Sequence, residues 1–141
     1  MCLLGLILSI KDLDFRKGNG LIAVVVQDYK SLKVLTLAYV NKEALEKTIE
    51  SGYAHYFRRS KGKVMKKGET SGNVQKVFCI LVDCDHDALV FLVKQTGVAC
   101  HLGEETCFHN KLAESERLKS SRKSFFHSSS RNLGISSKDT F

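Results

Sequence analysis

Proline and tryptophan are both absent from the 141 residues. Without proline and without any C-x-x-C pair, the chain lacks the P-C-x-x-C segment of zinc nucleobase deaminases, and its thiols are too widely spaced for a single-turn redox pair. Neither G-x-G-x-x-G nor a Walker loop occurs, so dinucleotide binding and nucleotide hydrolysis have no support. No apolar run is long enough to span a bilayer. The opening run Met1 to Ile10 has about half the required length, no basic residues before it and no small-residue cleavage site after it. It is expected to pack into the core as a strand or helix, the other reading being a start placed upstream of the true one. Five cysteines are an odd number, which argues against a disulfide framework and for a reducing, cytoplasmic setting. Cys2 is given no role, and no internal repeat is evident.

What is present fits one domain, with 43% hydrophobic residues to supply a core and 26% charged residues on its surface. The net charge of +7 is uneven, because residues 111–141 hold seven Lys and Arg against three acids, leaving +3 on the first 110. A mildly basic body suits an anionic small molecule as well as it suits nucleic acid, and most single lysines are simply solvated. The predicted division is a domain over 1–110 and a tail over 111–141. Nine serines and few aliphatics in that tail offer too little apolar surface to offset ordering entropy, so it is expected to be disordered.

The local elements follow from apolar periodicity. Leu21 to Gln27 and Val34 to Tyr39 read as a β-hairpin around the polar turn Asp28 to Lys33. Asn41 is placed to cap a helix with apolar Leu45 and Ile49 four apart, Val40 stapling onto Leu45, and Gly52 ending it. Tyr53 to Arg58 and Lys63 to Lys67 read as short strands around Ser60 to Gly62. Val74 to Asp83 is apolar on both faces, which implies a strand covered on both sides with Cys79 in the core. Leu89 to Lys94 pairs back on it, and Gly97 releases the chain into the loop bearing Cys100 and Cys107.

The stretch Asp83 to Cys107 concentrates the chemistry. Cys84, Cys100 and Cys107 are separated by fifteen and six residues, and three thiols suit a zinc ion with one position left for water. Cys100 and Cys107 lie in a polar loop where burial gives little reason for a thiol. Asp83, Asp85 and Asp87 are hard donors suited to magnesium or calcium. If this segment is extended, the three carboxylates share a face while Cys84 points away. Like charges so placed repel unless a cation sits among them, the other reading being a solvated acidic turn. An EF-hand is excluded by Ala88 and Lys94 at its glycine and glutamate positions. His101 is either a fourth zinc ligand or a general acid/base. Lys67 to Gln75 is rich in turn formers and hydroxyls that can present backbone N–H groups to a phosphate, though alone it is a weak signal.

Seven segments in order, L-D-F-x-K-x-x-G-L-I, V-V-Q-D, L-A-Y-x-N-x-E-A-L, R-S, K-G-E-T-S-G-N-V-Q, D-C-D-x-D-A-L and A-C-H-x-G-x-x-x-C-F, resemble the phosphoribosyl-AMP cyclohydrolase family of histidine biosynthesis over about residues 13–109. The resemblance implies an α+β fold, a strongly bent antiparallel sheet with one main helix, in an intertwined homodimer whose active sites lie at the subunit interface. It implies zinc on Cys84, Cys100 and Cys107 from both chains, magnesium on Asp83, Asp85 and Asp87, and a catalytic His101. Substrate contacts are expected from Arg59, Ser60, Lys67, Glu69, Thr70 and Ser71.

The implied reaction is hydrolytic opening of the adenine ring of 1-(5-phosphoribosyl)-AMP between N1 and C6. The chain departs from the family's usual pattern at Ala23, Arg58, Met65 and Lys66, which leaves details of the substrate pocket open. A zinc-stabilised nucleic-acid-binding module, with His101 as fourth ligand and the basic tail on phosphates, is the alternative from another class. A membrane partner is not expected.

Overall fold

The structure, a computed structural model, describes residues 6–115. Cys2 and most of the expected tail, from residue 116 on, lie outside the described residues. Residues up to His109 form one unit. Beyond it, Lys111 and Glu114 form an ion pair at 2.7 Å.

The first unit is α+β. A short 3-10 turn, Ile10–Asp12, leads into β1 (Ile22–Asp28), β2 (Val34–Val40), α1 (Lys42–Ser51), β3 (His55–Arg58), β4 (Lys63–Lys66), β5 (Gln75–Val82) and β6 (Ala88–Gln95). One sheet has the order β2-β1-β6-β5, and β3 and β4 form a second, two-stranded sheet. β1 with β2, β3 with β4, and β5 with β6 are antiparallel, but β1 runs parallel to β6. The large sheet is therefore mixed, which corrects the all-antiparallel expectation. Parallel and antiparallel partners impose the same two-residue alternation on a strand, so local pattern cannot distinguish them.

Alternation decides what each central strand buries. Ile22, Val24 and Val26 of β1 and Leu89, Phe91 and Val93 of β6 all face one core, joined by Ala44 and Leu45 of α1 and by Tyr56 of β3. Each fully buried Leu or Val side chain of this kind contributes about 1.5–3 kcal/mol. The helix starts where Asn41 accepts a hydrogen bond from the Ala44 N–H at 2.8 Å, a cap worth about 1 kcal/mol. It stops at Gly52, whose φ of 82° is left-handed. Its buried face is Ala44, Leu45 and Thr48, whereas Ile49 is 57% exposed, contrary to the expected Leu45–Ile49 stripe. The Thr48 hydroxyl accepts from the His55 N–H at 2.9 Å and so belongs to the inner face.

Two further expectations are corrected. A bulge between Val77 and Cys79 breaks the alternation of β5, an edge strand that buries Cys79 but leaves Phe78 51% and Leu81 42% exposed in the single chain. A bulge inserts one unpaired residue and re-aims its neighbours, so two apolar faces do not become two covered faces. The opening run forms neither strand nor helix over residues 6–9, and Leu6 and Ile7 are exposed.

Candidate metal and substrate site

The aspartates lie in the turn between β5 and β6, not in an extended strand. His86 takes a left-handed φ of 64°, which folds the chain back, and Asp83 Oδ1 accepts from the N–H groups of Asp87 and Ala88 at 3.0 and 3.1 Å. The turn still brings oxygens of Asp83, Asp85 and Asp87 within 4.8 Å of one another. They are the one such cluster of three metal-ligating side chains among the described residues.

Lys17 joins them. Its Nζ lies 3.2 Å from Asp85 Oδ2 and 3.2 Å from Asp87 Oδ2. The contact with Asp87, then that with Lys17, holds the Asp85 carboxyl down at about 2. The same Asp85 contact pushes Asp87 up from the usual carboxylate range, as expected of two carboxylates sharing one site. Hydrogen bonds to Asp85 and Asp87 raise the Lys17 ammonium.

The thiols sit elsewhere. Cys100 is buried, while Cys84 and Cys107 border solvent. Cys107 is set by the edge of β2: its N–H donates to the Leu35 carbonyl at 2.8 Å, and the Thr106 hydroxyl donates to the Val34 carbonyl at 2.8 Å. Partial burial pushes the Cys107 thiol up, with the Thr36 hydroxyl opposing and neighbouring Cys100 adding to the rise. Cys100 and Cys107 are thus side by side, but Cys84 does not join them in a three-ligand group within one chain. Cys84 lies in the aspartate turn rather than on a strand. His101 is exposed at the start of the Cys100–Cys107 loop.

Lys67 to Gln75 packs against the segment leading to Cys100. The Lys67 ammonium donates to the Ala99 carbonyl at 3.0 Å. A buried chain of side chains runs beneath, from the Tyr56 hydroxyl to Gln75 Oε1 at 2.5 Å and from Gln75 Nε2 to Gln95 Oε1 at 2.7 Å. Burial raises the Tyr56 phenol well above its ordinary pKa. Gly97 has φ of 74°, and a Cβ there would collide with the Asn73 side chain, so the two loops meet too closely for a larger residue. Glu69, Thr70 and Ser71 are exposed at the tip. Arg59 and Ser60 lie in the turn after β3, where the Arg59 guanidinium sits 4.1 Å from the centroid of the Tyr39 ring.

Lys17 had no assigned role in the sequence. Its signal was its place in the L-D-F-x-K segment, but its contacts are 68 and 70 residues away and no local pattern reveals them.

Residues 36–109 match the family model described as phosphoribosyl-AMP cyclohydrolase. The chain is 53% identical over 109 residues to the histidine biosynthesis bifunctional protein of Pyrococcus furiosus, covering 77% of this chain and 52% of that protein. It therefore spans about half the length of that relative. It is 52% identical over 104 residues to the phosphoribosyl-AMP cyclohydrolase of Cenarchaeum symbiosum, covering 74% of this chain and 96% of that one. With the phosphoribosyl-AMP cyclohydrolase of Archaeoglobus fulgidus it shares 55% identity over 98 residues, 70% of this chain and 91% of that protein. The chain belongs to the phosphoribosyl-AMP cyclohydrolase family.

Proposed function

We propose that the protein hydrolyses the adenine ring of 1-(5-phosphoribosyl)-AMP between N1 and C6, as a zinc-dependent cyclohydrolase of histidine biosynthesis. The observation that carries this reading is the presence, within or beside one family-matching segment, of three free thiols and three convergent carboxylates. In the reaction the oxygen of water bonds to C6, the C6–N1 bond breaks, and N1 takes up a proton. The exocyclic nitrogen is kept and becomes a carboxamide.

Cys84, Cys100 and Cys107 would hold the zinc, thiolates being its soft ligands of choice. When bound, it supplies a water whose pKa is lowered to about 7. Since Cys84 stands apart from the other two within one chain, the ligand set closes when Cys84 comes from a second copy. This supports an intertwined homodimer with shared sites. Leu6, Ile7, Ile49 and Leu81 support it too, because these exposed side chains line one open apolar groove that a partner would cover.

Asp83, Asp85 and Asp87 would hold magnesium. Their oxygens are hard donors, and the Lys17 ammonium between Asp85 and Asp87 supports the reading that this cluster favours a positive charge. His101, adjacent to Cys100 in the chain and exposed, would move a proton to N1 or from water. Arg59 and Ser60 offer a cation and a hydroxyl to a phosphate, and Lys67, Glu69, Thr70 and Ser71 offer donors and acceptors along the other loop. The setting would be cytoplasmic, as suits a biosynthetic enzyme, and no helix among the described residues is long and apolar enough to cross a membrane.

Complementation tests the reading in a cell. The chain should restore growth without histidine to a strain lacking phosphoribosyl-AMP cyclohydrolase, and its Cys107→Ser variant should not. No growth from a well-expressed, folded chain would count against it.

A further inference from the structure

Lys17 sits where it does because two elements distant in sequence are fastened together. The Asp14 N–H donates to the His86 carbonyl at 2.8 Å, and His86 Nδ1 lies 3.0 Å from the Asp12 carbonyl oxygen. These contacts lay the segment before β1 along the aspartate turn and direct the Lys17 stem at the carboxylates. Its ammonium contacts Oδ2 of both Asp85 and Asp87. A hard divalent cation would need the same oxygens. Ammonium and metal ion cannot both have them.

We propose that Lys17 is the built-in counter-ion of the three-aspartate pocket, and that a divalent cation binds by displacing it. The proposal rests on the reading of Asp83, Asp85 and Asp87 as a magnesium site and deepens it. Three carboxylates this close repel one another without a cation, so Lys17 keeps the turn ordered before metal arrives. Its side chain is half exposed, at 50%, and can swing into solvent when the metal enters. Exposed ion pairs are weak, so the competition lowers metal affinity several-fold rather than abolishing binding. Lys17 is thus a positioning residue that sets how much free cation the site requires.

The test is binding of Mn2+ alone to the zinc-loaded full-length protein, read by electron paramagnetic resonance of free Mn2+ without substrate. Lys17→Met should bind Mn2+ about five-fold more tightly than the unaltered protein, the scale of one weak ion pair. Lys17→Arg, which keeps the cation, should remain within about two-fold. Arg16→Gln removes the same charge from the neighbouring residue, which pairs with Asp14 instead, and separates local competition from general attraction. It should shift affinity by less than about two-fold. Lys17→Met binding Mn2+ no more tightly than the unaltered protein, or Arg16→Gln tightening it equally, would overturn the proposal. Mn2+ binding no better to the unaltered protein than to Asp85→Asn would overturn the magnesium-site reading and the proposal with it. Failure to turn over phosphoribosyl-AMP would leave the Mn2+ result standing.

Discussion

The Lys67 ammonium donates a hydrogen bond to the carbonyl oxygen of Ala99 at 3.0 Å. One residue further on is Cys100, and eight residues beyond Lys67 is Gln75, which accepts from the buried Tyr56 hydroxyl. The hydroxyl-rich loop and the thiol-bearing loop are therefore held as one piece, on a base of side chains that cannot move without stranding buried polar groups.

Lys67→Met should remove that brace. Activity is expected to fall about ten- to hundred-fold, the scale associated with small displacements of a reacting group, with zinc content falling alongside. Steady-state kinetics and metal analysis on the folded variant check this. A rise in KM alone, with zinc and kcat intact, would mean that Lys67 acts only by touching substrate.

Serine at Cys84, Cys100 or Cys107 should each remove most of the zinc and the activity, while Cys79→Ser keeps both. Mixing Cys84→Ser with Cys107→Ser subunits under exchange conditions should restore roughly a quarter of the wild-type activity, since random pairing makes half the dimers mixed and leaves each mixed dimer one intact site. Recovery near zero in demonstrably mixed dimers would mean that the ligands do not cross between chains.

Asp85→Asn should abolish the response to magnesium. After a mild chelation that leaves zinc in place, the unaltered protein should gain activity on adding Mg2+, and this variant should not. Unchanged rate and melting temperature in both proteins would leave the turn as a solvated acidic loop.

The β1–β2 turn offers a test by pH. Asp28 is pushed up by burial, but hydrogen bonds from the Ser31 and Lys30 N–H groups and the Ser31 hydroxyl together hold its carboxyl below the ordinary value. A folded-state pKa lowered in this way contributes stability above the unfolded-state value near 4, and the contribution is lost as pH falls through the lowered folded value. Asp28→Asn should lower stability at pH 7 by no more than roughly a few tenths of a kcal/mol, because these exposed contacts are screened by solvent, and the loss should vanish once pH is well below that window. Denaturant melts at both pH values measure the difference, and an equal loss at both would show that charge is not involved.

The parts of this fold that are local were legible in the residues. Asn41 and Gly52 bound α1 because capping is decided within a few positions, and the hairpins follow from turn formers between β-branched runs. The parallel pairing of β1 with β6 was not legible, because alternation is blind to strand direction. Ile49 was assigned to the wrong face because Thr48, counted as polar, is the residue that turns inward. For the aspartates an extended face and an acidic turn were both open in the residues, and the left-handed His86 that decides for the turn has no signature in residue type. Cys84, Cys100 and Cys107 were singled out by residue type, but their spacing does not tell which of them meet within one chain: Cys100 and Cys107 do, and Cys84 does not join them.

The central claim is the bond that breaks. Zinc-activated water at C6 of an adenine can expel the exocyclic amine, as in deamination, or ring N1, as in cyclohydrolysis. Incubating the purified protein with phosphoribosyl-AMP and following product mass together with free ammonia distinguishes the two. The product should gain the mass of one water with no ammonia released, whereas ammonia formed in proportion to substrate consumed would contradict the account.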